Sequence, residues 1–171
     1  MRRSKAVFTS IDEQILSQKE DMMTIQSNVA ALVQIGYDAY NDHSFDARWL
    51  ERAAAPVAEE CEVVDIPSGA TLRGPEGLKQ FLLGFSTALP DSRVEVTNLF
   101  TTEDGAVVEF VGRGTHTGPL HTPSGDIPPT GRLIEVHFCD VYKIKDGKIV
   151  RHSTYYDALS LLQQLGVLPQ G

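Results

Sequence analysis

The sequence predicts an α+β fold in which three N-terminal helices pack against one face of a cone-shaped, curved antiparallel sheet. Three observations carry this. Apolar residues recur with helical spacing through the first half of the chain; the spacing changes to alternation after Pro90; and glycine-containing turns at 103–105 and 145–147 fall where alternating runs must reverse. A chain of 171 residues with 42% hydrophobic content suits a single domain with a sizeable core.

Residues 1–24 are polar with scattered apolar positions and read as an N-terminal extension, helical or partly ordered, ahead of a domain over 25–171. Ordered structure is expected from near Ser27. There Val29, Leu32, Val33, Gly36, Tyr37 and Tyr40 follow a helical repeat until Asn41 and Asp42 interrupt it. Residues 46–56, DARWLERAAAP, read as a second, shorter helix, and ECEVVDIP, residues 60–67, as a short strand ended by proline and glycine. The third helix, residues 74–91, opens with Pro75 and places Glu76 at the positive end of its dipole. Leu78, Phe81, Leu82, Phe85 and Leu89 form its apolar stripe, and Pro90 closes it.

Residues 92–118 then read as one hairpin and residues 131–157 as another, giving a meander of four or five antiparallel strands around a conical cavity. Between them GPLHTPSGDIPPTGR, residues 118–132, has a proline and glycine content that excludes regular structure and suits a functional rim or lid. ALSLLQQLGVLP, residues 158–169, is a short amphipathic helix stopped by Gly166 and Pro169.

A net charge of −8 with scattered lysines and arginines argues against nucleic acid as a partner. Cys61 and Cys139 lie far apart without a CxxC pair, which suits reduced thiols in the cytoplasm. The opening MRRSKAVFTSIDEQ has polar and acidic residues where an export signal needs an apolar run, and no run approaches the roughly 20 apolar residues that span a membrane. Phosphate loop, dinucleotide fingerprint, nucleophile elbow and HExxH are all missing, so no cofactor is expected. His116 and His121 flank the rim at a spacing that fits no zinc motif, and no metal is expected.

Several strings in shared order, YDAYNDHSFD, LRGPEGLKQFLLGFSTALPDSRVEV, IPPTGRLIEVHFCDVYKIKDGKIVRHSTYYD and LLQQLG, resemble the SnoaL-like ester cyclases. The resemblance covers residues 27–169 and implies the nuclear transport factor two-like, ketosteroid-isomerase-like fold, with a homodimer and a small-molecule substrate as its partners. In the polyketide cyclases of that family an aspartate on the last strand is the acid/base and a histidine on the preceding strand positions the substrate. Aligning DGKI and QLG puts those two positions on Thr154 and Asp140, a departure from the residue pair on which the aldol-type reaction rests. What the resemblance implies is a cofactor-independent cyclase, isomerase or lyase acting by proton transfer on a carbonyl-bearing or polycyclic substrate. The alternative is a binding or dimerisation module of the same fold.

The residues themselves suggest where such chemistry would sit. A three-residue turn at 145–147, with Gly147 left-handed, brings Asp140 opposite His152 and Phe138 opposite Thr154; a two-residue turn puts His152 on the other face. In the first register Ile134, Val136, Phe138, Asp140 and Tyr142 share an inward wall with Val150, His152, Thr154 and Tyr156. An aspartate there loses hydration, which raises its pKa unless a donor such as a facing imidazole stabilises the ion. Asp140 is the candidate acid/base and His152 its partner, against the reading of a satisfied buried pair that sets the hairpin register. Asp157 is a third catalytic candidate whose plainer role is the N-cap of the last helix. Tyr40, Phe138, Tyr142, Thr154 and Tyr156 are the candidate ligand-binding residues, while Tyr37 and Trp49 read as core. Glu135, His137, Cys139 and Lys143 fall on the opposite face, toward solvent or a dimer partner.

Overall fold

A computed structural model describes residues 3–123 and 125–168, with side chains from residue 11 onward. The chain begins with one unbroken helix, α1 (Arg3–Asn41), which passes through Ser27 without a break. Its residues 11–28 are exposed, and Val29, Val33, Tyr37 and Tyr40 are its first large buried side chains. α2 (Trp49–Ala54) is shorter than residues 46–56 and leads into β1 (Val57–Asp65), which starts three residues ahead of the expected strand because Pro56 ends the helical segment. A strand not anticipated from the sequence, β2 (Ala70–Arg73), folds back on β1 and runs directly into α3 (Gly74–Ala88).

The second half is β3 (Arg93–Thr101), β4 (Gly105–Thr115), β7 (Leu133–Lys145), β8 (Lys148–Tyr156) and α4 (Ala158–Leu165). The proline-rich rim is not wholly irregular: β5 (Leu120–Thr122) and β6 (Gly125–Ile127) form a small ribbon, whereas Pro169 lies outside the described residues. The main sheet has six strands in the order β2-β1-β8-β7-β4-β3. It is not antiparallel throughout, because β1 lies parallel to β8 and so joins the first strand of the chain to the last. Helices α1 and α3 and the inner sheet face bury one apolar cluster that includes Val33, Tyr37, Leu78, Val108, Phe110 and Tyr142. A second cluster, with Leu89, Ile134, Val136, Leu161 and Leu165, seats α4 against β7. On the outer face Phe100, Leu133 and Tyr155 are exposed, and Arg113 bridges Glu95 and Glu135.

The hairpin that carries the candidate site departs from the expected register, for a reason visible in its turn. Asp146 and Gly147 both have positive φ, 51° and 71°, and Lys145 pairs with Lys148, a two-residue turn whose twist matches the strands. That turn alone would have rotated His152 outward. The pairing shifts between Ile144↔Ile149 and Lys143↔Arg151, leaving Val150 as an unpaired bulge that restores the inward set. Asp140 therefore faces Thr154, Tyr142 faces His152 and Phe138 faces Tyr156, in place of Asp140 facing His152. Ile149 is buried on the inner wall where Val150 was expected.

Two glycines separate backbone strain from crowding. Gly147 has open space around it, so Gly147→Ala meets only the left-handed penalty and is expected to cost about 1 kcal/mol. Gly74, at φ +66°, would in addition press a Cβ to 2.8 Å from the Glu59 carbonyl oxygen. Gly74→Ala should therefore lower the urea midpoint further than Gly147→Ala; equal losses would show that the Glu59 backbone yields freely.

Candidate active site

The sheet's inner wall, α1 and α3 enclose a cavity of about 100 Å³, lined by apolar side chains such as Val33, Leu78, Phe81, Phe110, Phe138 and Ile149. Two features make this space. Gly112 has no side chain over the Phe138 ring, where a Cβ would sit 3.1 Å from the ring edge, and Phe110 stacks flat on Phe138 at 4.9 Å between centroids. An aromatic contact of this kind adds roughly 0.5–1.5 kcal/mol beyond the area it buries.

One group of polar side chains on this wall centres on Asp140, while Tyr40, Ser92, Arg93 and Arg113 also line the cavity. Asp140 on β7 is 3% exposed. Its Oδ1 accepts from the Thr154 hydroxyl at 2.5 Å; its Oδ2 accepts from the Tyr37 hydroxyl at 2.8 Å and the Tyr142 hydroxyl at 3.1 Å. The two tyrosine oxygens are themselves 2.8 Å apart. His152 Nε2 lies 3.0 Å from the same Oδ2, yet it has no directed hydrogen-bond partner. At that separation it is alignment, not distance, that falls short of a hydrogen bond. The imidazole is held by Tyr142, stacked on it at 4.6 Å, and by the edge of Phe81.

Burial pushes the Asp140 carboxyl up, but the adjacent His152 imidazole and the hydroxyls of Thr154 and Tyr37 outweigh it and hold the group below the ordinary carboxylate range. The carboxylate is thus ionised at neutral pH. Tyr37 and Tyr142 are driven well above the usual tyrosine value by burial and by the Asp140 charge, so both stay neutral hydrogen-bond donors. Cys61, buried in the same lining, is pushed up to about 11 by burial and remains a thiol.

The site thus unites Asp140, His152, Tyr142 and Thr154 as anticipated, with Phe138 beside them in the lining. The residue that sequence reasoning set aside is Tyr37, whose hydroxyl reaches Asp140 directly. Its signal was present: Tyr37 continues the stripe of Val29 and Val33 into the core, where a phenol needs a partner. Tyr40 does line the cavity, but its hydroxyl pairs with Ser92 at 2.9 Å, away from the carboxylate, and burial pushes it up to about 12. Tyr156 lies outside the lining, packed on Phe138 with its hydroxyl 3.4 Å from Asp65. Asp157 is likewise outside the cavity, because its exposed carboxylate accepts the Ser160 N–H at 3.0 Å as the cap of α4.

The two rim histidines serve separate local contacts. His116 is fully buried and its Nδ1 accepts the Thr130 N–H, whereas exposed His121 lies 2.7 Å from Asp126. Among the described residues no cluster of three or more histidines, cysteines or carboxylates is placed to hold a metal, and no helix is long and apolar enough to cross a membrane.

A curved sheet closed by helices over a polar group in a mostly apolar cone defines the nuclear transport factor two-like, ketosteroid-isomerase-like class. The sequence profile of the SnoaL-like polyketide cyclases matches residues 34–165, and the chain belongs to that family. Among solved structures it is similar to TsrD from Streptomyces laurentii, with 28% identity and a TM-score of 0.69 over 84% of this chain and 98% of that one. IdmH from Streptomyces antibioticus shares 26% identity with a TM-score of 0.61, over 80% and 97% of the two chains. A Catenulispora acidiphila protein with a ketosteroid isomerase-like fold, 20% identical with a TM-score of 0.60 over 77% and 92%, shares the fold. No functionally curated protein matches the chain.

The depressed Asp140 gives a signature in acid. Its contribution to stability is complete above the unfolded carboxylate value of about 3.9 and is lost as pH falls through the lower folded value. Thermal unfolding midpoints of Asp140→Asn should fall less steeply than wild type across that window, whatever their absolute level. Equal slopes would mean that Asp140 is not held ionised.

Proposed function

We propose that the chain is a cofactor-independent SnoaL-like enzyme that moves a proton on a carbonyl-bearing substrate with an apolar, ring-rich body. The observation that carries this reading is the His152 Nε2, 3.0 Å from an ionised, hydroxyl-bound carboxylate yet without a directed hydrogen bond, in a mostly apolar cavity. A buried nitrogen without a partner loses roughly 1–3 kcal/mol, and a substrate carbonyl oxygen would supply that partner.

In this reading the Nε2–H polarises the carbonyl while Asp140 takes the proton from the neighbouring carbon. A carboxylate below its ordinary range is a weak base, and the tyrosine pair offers the remedy. With the two phenol oxygens 2.8 Å apart, Tyr142 can donate to Tyr37 instead of Asp140, or either can turn to the substrate oxygen. Each donor withdrawn raises the basicity of Asp140, and each donor gained by the oxygen stabilises the enolate. The proton held on Asp140 is then returned to product. Thr154, on Oδ1, orients the carboxylate throughout.

The completeness of the hydroxyl shell favours a second reading, in which Asp140 is a structural anion and the cavity holds an apolar ligand unchanged. Hydrogen–deuterium exchange separates the two. With a panel of aromatic β-keto esters in deuterated buffer, wild type should label the α-carbon, Asp140→Asn should be slower by roughly 10²–10⁴-fold, and Tyr37→Phe should lose less. Exchange at the same rate in Asp140→Asn removes the acid/base assignment. Binding of the same esters without exchange favours the binding module.

A further inference from the structure

Residues 11–25 of α1 carry an apolar stripe that no described residue covers. Residues 11–28 are all exposed, and Ile11, Ile15, Met22 and Ile25 lie among them; Met22 is 58% exposed. Together with Gln18, Val29 and Leu32 these occupy alternating three- and four-residue steps, the a and d positions of a heptad repeat, with Gln18 alone polar. Leu16 and Met23, also exposed, widen the stripe on one side. The repeat runs on into Val29, buried in the protein's own core, and Leu32, which packs partly buried against it. The helix therefore runs off the body with its core-facing side still apolar, and a lone helical projection of this length is marginal in water.

We infer that residues 11–22 of α1 pair in antiparallel fashion with the same segment of a second copy of this chain. Charge selects the partner and its direction. Antiparallel pairing that layers Ile11 on Met22 of the second copy, and Ile15 on Gln18 of the second copy, sets Asp12 beside Lys19 of the second copy, twice by symmetry. Parallel in-register pairing places Gln14 against Lys19 and Asp21 against Gln26, with no opposite charges, and layers Gln18 on itself. Position agrees with charge. The antiparallel overlap from 11 to 22 falls wholly within the exposed stretch and keeps the two globular bodies at opposite ends, whereas parallel pairing carried on to Val29 would compete with the core that already buries it.

Sedimentation equilibrium of the full chain tests this. Ile15→Glu/Met22→Glu should remove one twofold step of mass while leaving the melting temperature of the body unchanged, because neither side chain contacts the core. Asp12→Lys alone and Lys19→Asp alone should each weaken that step roughly tenfold, and the double variant Asp12→Lys/Lys19→Asp should restore it. A wild type with no step that the stripe variant removes overturns the proposal. So does a double reversal as weak as the singles, which would point to a different chain or a parallel pairing on this face.

Discussion

An ionised carboxylate withdrawn from water costs several kcal/mol unless charge and hydrogen bonds replace its hydration, and this requirement at Asp140 organises the interior. Thr154 and Tyr142 are polar where the wall around them is apolar, and Tyr37 spends its hydroxyl on the same group from another layer of the structure. Val108, the cross-strand neighbour of Asp140 on β4, is fully buried and offers no polar atom. Compensation therefore comes from β7, β8 and α1 alone, and the helix is tied to the sheet at the atom where a charge must be matched.

The same arrangement separates two tasks. The apolar lining, with Phe81, Phe110 and Phe138, supplies a body-sized surface for a ring-rich molecule and keeps water from weakening the charges. The polar corner supplies direction. His152 joins the two, since its ring stacks on Tyr142 as part of the wall while its Nε2 remains the unsatisfied atom of the corner. A chain that belongs to a family of polyketide cyclases thus keeps the cone, but at the positions where the resemblance placed an acid/base aspartate and a histidine it has Thr154 and Asp140.

Much of this was legible in the sequence because local spacing reports local structure. The change of period after Pro90, the two glycine turns and the proline-opened α3 follow from short-range patterns. What escaped depends on long-range pairing. β2 is four residues long and is defined by β1, and the parallel β1–β8 contact has no local mark. The inward placement of Asp140, His152 and Thr154 was anticipated through a wrong turn: a two-residue turn and a bulge at Val150 give the same face as a three-residue turn, so the face was right and the opposite partners were not. Tyr37 and Tyr40 are three residues apart on one buried face, and periodicity cannot tell which phenol meets the carboxylate.

The bond between Tyr37 and Asp140 spans 103 residues of chain, and that separation bears on how the protein reaches its native state. The hairpin of β7 and β8 forms from neighbours and needs little loop closure, yet until α1 arrives it presents a carboxylate lacking one of its donors. Long-range closure is slow relative to hairpin formation. The interior chemistry is accordingly a late product of folding, completed only when α1 has docked on that hairpin.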